Sequence, residues 1–250
     1  MSILDAIIQG VVQGLTEFLP VSSSGHLAIT QHILGAGTGE SNLFFNVMLH
    51  VGTLVAVVAF YHKLVWDLIK EFFLMLKDIF TGKFKWSKMN YNRNLVVMLI
   101  IGLIPLFLLF LPIPGTDMKL KDLADQLSAS PVLIVTACSL ILTSVLLTIG
   151  IIRNRKSVAS THKHLATKSN AKATRDNFNV VDAILVGVTQ VCAALLPGLS
   201  RSGSTLSVGE MRGISKQKAL DYTFVLGIPS ILAAALLEGV DAIKSPEGLS

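Results

Sequence analysis

Long apolar blocks separated by short polar breaks set the rhythm of this chain. The first block, residues 3–19, is 17 residues long, about 25 Å at 1.5 Å per residue. That falls short of the roughly 30 Å hydrocarbon core of a bilayer. Pro20 follows, and proline breaks a helical hydrogen-bond ladder. The pattern predicts a half-helix that enters the bilayer, stops at Pro20 and returns. Such a break is tolerated only where it lines a cavity or is buried in protein. A short segment then runs to Leu34, and the Gly-rich residues 35–39 predict a turn. Residues 43–61 predict a span whose polar members are Asn46, His50 and Thr53. Residues 63–80 carry Lys63, Asp67, Lys70, Glu71, Lys77 and Asp78 as a polar stripe opposite Trp66, Ile69, Phe72, Phe73 and Leu76. That pattern predicts a helix lying in the interface. Residues 95–111 form the next span, with Pro105 inside it, and residues 112–130 a polar loop. Residues 131–152 and 222–237 complete the spans, and a polar tail covers 238–250.

The blocks repeat. Residues 182–197 match residues 5–20 at an offset of 177, with 8 of 16 positions identical. Each copy ends in proline and then a Ser- and Gly-rich break, Val21-Ser22-Ser23-Ser24-Gly25-His26 in one and Gly198-Leu199-Ser200-Arg201-Ser202-Gly203-Ser204-Thr205 in the other. At the same offset the span from Phe45 is echoed by the span from Tyr222. The expected fold class is an all-α polytopic membrane protein, an inverted repeat with two re-entrant helical hairpins. Residues 1–152 form the first repeat, 153–179 a basic cytoplasmic linker and 180–250 the second repeat. Inverted repeats with broken helices place a site near the bilayer midplane. The first copy is followed by three spans and the second by one; a C-terminal truncation would explain the two left unmatched.

Composition agrees with the membrane reading. The chain of 250 residues is 52% hydrophobic and 15% charged, with mean hydropathy +0.64, where a soluble domain carries about 25% charged residues. No signal-peptide cleavage pattern is present, so the first apolar segment is expected to be retained. The net charge of +5 does not point to nucleic acid, because the basic residues cluster in two loops beside apolar spans. Lys/Arg bias puts residues 63–93 and 153–176 in the cytoplasm and residues 112–130 outside. Cys138 and Cys192 lack metal-ligand spacing and are expected to be buried packing residues.

The candidate chemistry lies in the two breaks. Arg201 sits between Ser200 and Ser202, flanked by Gly198 and Gly203, at the start of an expected helix. A guanidinium matches phosphate bidentately, and a helix N-terminus with nearby glycines favours an anion. The plainer alternative is an arginine that closes a loop or snorkels to headgroups. Glu17, one turn after Gln13, could be a metal ligand, a general base or a proton relay. Ser22, Ser23 and Ser24 would by themselves be a turn or cap cluster. With Glu17 and His26 close by in sequence they allow attack and proton transfer. His32, His50 and His62 are expected to pack or sit at interfaces. The site residues together suggest recognition of an anion, phosphate before carboxylate. An inverted-repeat transporter or flippase for an anionic lipid or solute is the alternative in another class.

The stretch Gln13-Gly-Leu-Thr-Glu17-Phe-Leu-Pro-Val-Ser-Ser-Ser-Gly-His26 and the stretch Pro197-Gly-Leu-Ser-Arg-Ser-Gly-Ser-Thr205 resemble the two signature motifs of the bacterial undecaprenyl-diphosphate phosphatases of the bacitracin-resistance type. The resemblance covers essentially the whole chain. It implies an integral membrane hydrolase of the bacterial plasma membrane. Such an enzyme removes the terminal phosphate of a polyprenyl diphosphate to give undecaprenyl phosphate for cell-wall precursors. It implies dependence on a divalent cation, Mg²⁺ or Ca²⁺, with Glu17 as ligand and essential carboxylate. Ser23 matches the nucleophile or hydroxyl donor, His26 the family's histidine, and Arg201 the phosphate-binding arginine, with Ser200 and Thr205 beside it. Gln13, Ser22, Ser24, Gly198, Ser202 and Gly203 complete the expected substrate contacts. Gln13 stands where many members have a second glutamate. A homodimer and a site opening to the outer face are further expectations.

The charge asymmetry generates a topology test. Cysteine labelling from the outer face should mark Ser128→Cys and spare Ser160→Cys; the reverse pattern would overturn the orientation.

Overall fold

Helices α1 (Ile3–Phe18) and α2 (Ser23–Ile33) form a hairpin closed by the Pro20 break. They belong to a computed structural model that describes residues 2–35, 40–86, 89–116, 118–129, 133–165 and 175–244. α3 (Glu40–Phe60) and α4 (His62–Phe80) follow, bent by 84° at Tyr61. α5 (Tyr91–Leu103) runs into a 3₁₀ helix over Ile104–Phe110, and α6 (Leu120–Ala129) precedes the long α7 (Leu133–Leu165). A second hairpin, α8 (Val180–Leu195) and α9 (Arg201–Met211), leads into α10 (Lys216–Lys244). Among the described residues, Tyr91–Phe110, Leu133–Arg155 and Lys216–Leu237 are long and apolar enough to cross a membrane, and the bent α3–α4 pair passes as a fourth. The chain is an all-α polytopic membrane protein.

The two hairpins share their local rules. α1 and α8 are each 16 residues, α2 and α9 each 11. A reciprocal capping box opens both outer helices, Ser2 with Asp5 and Asn179 with Asp182. The second acidic residue is fully buried between Arg212, at 2.7 Å, and Arg175, at 3.0 Å. Two guanidiniums on one carboxylate tie the stretch before α8 to the turn after α9, where Arg175 and Ile214 also pair through their backbones.

Polarity runs inside out. α1 turns Gln9, Gln13 and Glu17 inward and leaves Ile3, Leu4, Ile7, Val11 and Leu15 on the surface. In water that face would be a large apolar patch; in lipid it is the expected exterior. The apolar core lies elsewhere, among Leu95, Val96 and Met98 of α5, Ala183 and Val186 of α8, Leu206 of α9 and Tyr222, Val225 and Leu226 of α10. Tyr222 stacks on Phe178 at 4.0 Å and donates its hydroxyl to the Met98 carbonyl at 2.7 Å.

Several elements differ from the sequence expectation. Pro105 does not sit within a continuous α-helix: the ladder changes to 3₁₀ from Ile104. A 3₁₀ pattern would pair the Gly102 carbonyl with the nitrogen of Pro105, which carries no proton. Gln190 of α8 donates to that carbonyl instead, at 3.1 Å. The loop over 112–130 contains α6, whose Ala124 is buried and whose first turn holds Asp122 against the Lys119 amide at 2.8 Å. α7 continues to Leu165, into the stretch expected to be linker. Extending an existing helix adds a hydrogen bond per residue at little nucleation cost, and Arg and Lys are good helix formers. α10 likewise runs on to Lys244. Cys138 and Cys192 are exposed, on the apolar exterior rather than in the core. Residues 36–39 of the expected turn at 35–39, linker residues 166–174 and tail residues 245–250 lie outside the described residues.

Helix α8 crosses the end of α5 at close range. A Cβ on Gly187 would lie 2.5 Å from the Gly102 carbonyl and 2.7 Å from the Pro105 ring, whereas one on Gly14 meets nothing within 4 Å. Small residues permit such backbone approach in membranes. Gly187→Ala should therefore cost about 1–3 kcal/mol through overpacking, and Gly14→Ala should be neutral or mildly stabilising. Thermal unfolding in detergent measures both; equal behaviour of the two variants would contradict the packing.

Candidate functional site

The two breaks meet backbone to backbone. A Cβ on Gly25 would lie 3.2 Å from Gly198 Cα, and one on Gly203 only 2.5 Å from the Pro20 carbonyl oxygen. Gly198 has φ of 85°, left-handed backbone that glycine adopts freely. Ser22 takes φ of 76° without that freedom, a strained conformation that surrounding structure must hold. Its side chain caps α2 by accepting from the Gly25 amide at 3.2 Å. Its carbonyl accepts from the His26 ring Nδ1 at 2.7 Å. Ser200 caps α9 in the same way, accepting from the Gly203 amide at 2.9 Å, while its own amide donates to Thr143 Oγ1 at 3.0 Å. Two helix N-termini, each a partial positive charge, thus open at one place.

Glu17 stands at that place, at the end of the inward polar face of α1 and 9% exposed in a hydrophobic setting. Both carboxylate oxygens are engaged. Oε2 accepts from Ser23 Oγ at 2.5 Å and from Gln13 Nε2 at 3.2 Å. Oε1 accepts from Arg201 Nη2 at 3.4 Å, across 184 residues of sequence. The other guanidinium nitrogen, Nη1, donates to Ser230 of α10 at 3.0 Å. The carboxylate and the guanidinium offset each other's charge, as buried charges require. Thr205 binds the Arg201 carbonyl at 2.8 Å and Thr223 of α10 at 3.2 Å, so the first turn of α9 is pinned against α10.

Gln13, Glu17, Ser23 and Arg201 are therefore one hydrogen-bonded cluster. Ser22, Gly198, Ser200 and Gly203 shape the breaks and caps around it. Ser24 is exposed, its hydroxyl 3.4 Å from Ser22 Oγ, and Ser202 stands in the same relation to Ser200. His26 is half-buried and turned to the Ser22 carbonyl rather than to Glu17. A carbonyl only accepts, so Nδ1 of His26 carries a proton.

Two residues escaped the sequence reading. His50, expected to be a packing residue, brings Nε2 to 3.9 Å from Glu17 Oε2, with Nδ1 on the Asn46 carbonyl at 2.7 Å. The signal was the spacing of Asn46, His50 and Thr53, which sets three polar groups on one face of an apolar helix. Ser230 carried a weaker one, as the residue 177 positions after Thr53.

A narrow cleft opens beside the cluster. Glu17, Arg201, Ser202 and Thr223 line one part of it; Leu54 and Val57 of α3 and Phe224, Gly227, Ile228 and Ile231 of α10 line the rest. An amphiphile with an anionic head and an apolar tail matches that lining. For a metal the donor set is sparse. No group of three or more His, Cys, Asp or Glu that could hold an ion occurs among the described residues. One carboxylate, an amide oxygen and a hydroxyl fit a hard cation only in the mode where substrate phosphates supply further oxygens.

Comparison with known proteins adds independent information. The family described as Bacitracin resistance protein BacA matches residues 6–249. A protein of Alkaliphilus metalliredigens (strain QYMF) named undecaprenyl-diphosphatase is 38% identical over 245 residues, 98% of this chain and 79% of its own. Proteins of the same name from Bacteroides fragilis (strain YCH46) and Methanobrevibacter smithii are each 36% identical, covering 98% and 95% of this chain and 77% and 76% of their own.

The ion pair makes a prediction that needs no activity measurement. Glu17→Gln and Arg201→Gln should each lower stability, because each leaves a shielded charge uncompensated. The double variant should lose less than the sum, with a coupling of about 0.5–3 kcal/mol. Additive losses in detergent unfolding would show that the two groups do not support each other.

Proposed function

This chain belongs to the bacitracin resistance protein BacA family, and on that footing we propose that it hydrolyses undecaprenyl diphosphate where its two hairpins meet. It is an integral membrane enzyme of the undecaprenyl-diphosphatase type. The observation that carries the site assignment is the Glu17–Arg201 pair at the polar end of a cleft whose other walls are apolar. A polyprenyl diphosphate has that division of character. Its diphosphate would lie against Arg201, Ser202 and the N-termini of α2 and α9, and its first isoprene units against Leu54, Val57 and Phe224.

The reaction follows from the cluster's hydrogen bonds. Arg201 binds phosphate oxygens with its fork and leaves Glu17 free of its only guanidinium partner in the cluster. Glu17 then accepts the Ser23 proton along the existing contact, and Ser23 Oγ attacks the terminal phosphorus. The bridging oxygen–phosphorus bond breaks, and the proton leaves with undecaprenyl phosphate. Water hydrolyses the phosphoserine and releases inorganic phosphate. Ser23 is favoured over His26 as nucleophile by its contact with Glu17. His26 instead spends its Nδ1 on the carbonyl of the strained Ser22. Phosphoryl transfer depends mainly on positioning and charge stabilisation, and the N-termini of α2 and α9 add their partial positive charge. A divalent cation, Mg²⁺ or Ca²⁺, would take Glu17 as protein ligand and, when bound, offset the charge of the diphosphate. Family membership supports a plasma-membrane placement, and the Lys/Arg distribution supports an orientation with the site open to the outer face.

The deciding experiment is phosphate release from undecaprenyl diphosphate by the purified full chain, with and without divalent cation. Glu17→Gln and Ser23→Ala should each lower turnover roughly 10²-fold or more. Arg201→Lys should be nearly as damaging as Arg201→Ala, because lysine lacks the planar fork. Absence of release by the native chain under either condition would overturn the reading.

A further inference from the structure

Arg201 is held from outside the two hairpin breaks as well as across them. Ser230 of α10 accepts from Nη1 at 3.0 Å, a shorter contact than the 3.4 Å one between Nη2 and Glu17. The serine proton is spent on its own helix, toward the Leu226 carbonyl at 3.2 Å and the Gly227 carbonyl at 3.1 Å. A hydroxyl has one proton and two lone pairs, so Ser230 meets Arg201 as an acceptor only. Gly227 completes the seat. A Cβ there would lie 3.6 Å from Nη2 and 3.9 Å from Cζ, so the guanidinium rests over backbone that carries no side chain. One turn earlier Thr223 meets Thr205 at 3.2 Å, which fixes the first turn of α9 to the same helix.

We propose that Ser230 is a positioning residue that keeps Arg201 from closing on Glu17 and turns its Nε–Nη2 edge to the diphosphate. The inference rests on the phosphatase reading and names the residue that sets the affinity of its phosphate-binding group. A guanidinium and a carboxylate left to themselves commonly form a two-pronged pair. Here the pair is single and long, because Nη1 is committed to α10. An arriving phosphate oxygen therefore displaces one weak contact instead of two strong ones. Ser230 holds the guanidinium in place through that exchange. Without the hydroxyl, Nη1 is free to turn to the carboxylate, and Glu17 becomes an internal competitor of the substrate. Ser230 acts on binding through Arg201 and has no part in proton transfer.

The test measures binding of inorganic phosphate to the full chain in detergent by calorimetry, beside turnover of undecaprenyl diphosphate. Ser230→Ala should weaken phosphate about tenfold, the scale of one hydrogen bond to a charged group. KM for undecaprenyl diphosphate should rise by a similar factor, with a smaller fall in kcat. Ser230→Thr keeps the acceptor and should restore both. The deciding arm is the Glu17→Gln background, read by phosphate binding alone. An amide cannot form the closed ion pair, so Ser230→Ala should weaken phosphate far less there. A purely structural role would weaken phosphate alike in both backgrounds, and that result overturns the proposal. So does a Ser230→Ala protein that binds phosphate like the native chain, or a native chain that binds none. Phosphate affinity that responds as expected in a native chain that releases no phosphate from undecaprenyl diphosphate would overturn the phosphatase reading and leave the seat of Arg201 standing.

Discussion

A single carboxylate in an apolar setting, Glu17, imposes most of the order in this molecule. Its charge requires a partner, and Arg201 supplies one from 184 residues away at 3.4 Å. That pairing demands that the two hairpin breaks touch, which demands glycine at positions 25 and 203, where added Cβ atoms would strike the opposite break. The touching breaks bring two capped helix N-termini to one point. Their partial positive charges and Arg201 exceed the single negative charge of Glu17, and an anion fits the excess. Electrostatic balance, packing and ligand preference thus have one origin.

The same constraint explains why polarity is inverted. Gln9, Gln13 and Glu17 share one face of α1 and form the wall around which α2 and α3 assemble. Gln31 donates to both Gln9 at 2.9 Å and Asn46 at 2.7 Å, extending the polar contact across three helices. The apolar side chains face outward, so lipid carries the hydrophobic contacts, while interhelical hydrogen bonds and close glycine packing set the helix positions. Burial of apolar area, the main driving force for folding in water, does not choose this arrangement.

Much of this was legible in the chain because membrane helices have few options. Pro20, Pro197 and the Ser- and Gly-rich stretches after them mark breaks that backbone hydrogen bonding alone forces. Glu17, Ser23 and Arg201 are conspicuous as polar groups where polarity is costly. What escaped notice depended on distance in space. His50 reads as one polar residue in an apolar span until the fold sets it 3.9 Å from Glu17. Gln190 reads as an echo of Gln13 until it is seen to satisfy a carbonyl beside Pro105. The extent of α7 was missed because a basic composition suggests a linker, while helix extension beyond an already formed span costs little.

The repeat offset shows how two similar halves divide one task. Glu17 corresponds to Ala194, Ser24 to Arg201 and His50 to Gly227. The first half keeps the carboxylate and an imidazole beside it; the second lacks both and carries the guanidinium. Gly227 makes that exchange physically feasible, for a Cβ there would lie 3.6 Å from Arg201 Nη2, and anything larger would occupy the space of the guanidinium. Thr53 corresponds to Ser230, which retains its hydroxyl and gives Arg201 its second contact at 3.0 Å. A symmetric pair of carboxylates, or of arginines, would place like charges together at the meeting point and push the hairpins apart. Opposite charges draw the two breaks together, so the asymmetry that suits an anion site is also what lets two related hairpins share one interface.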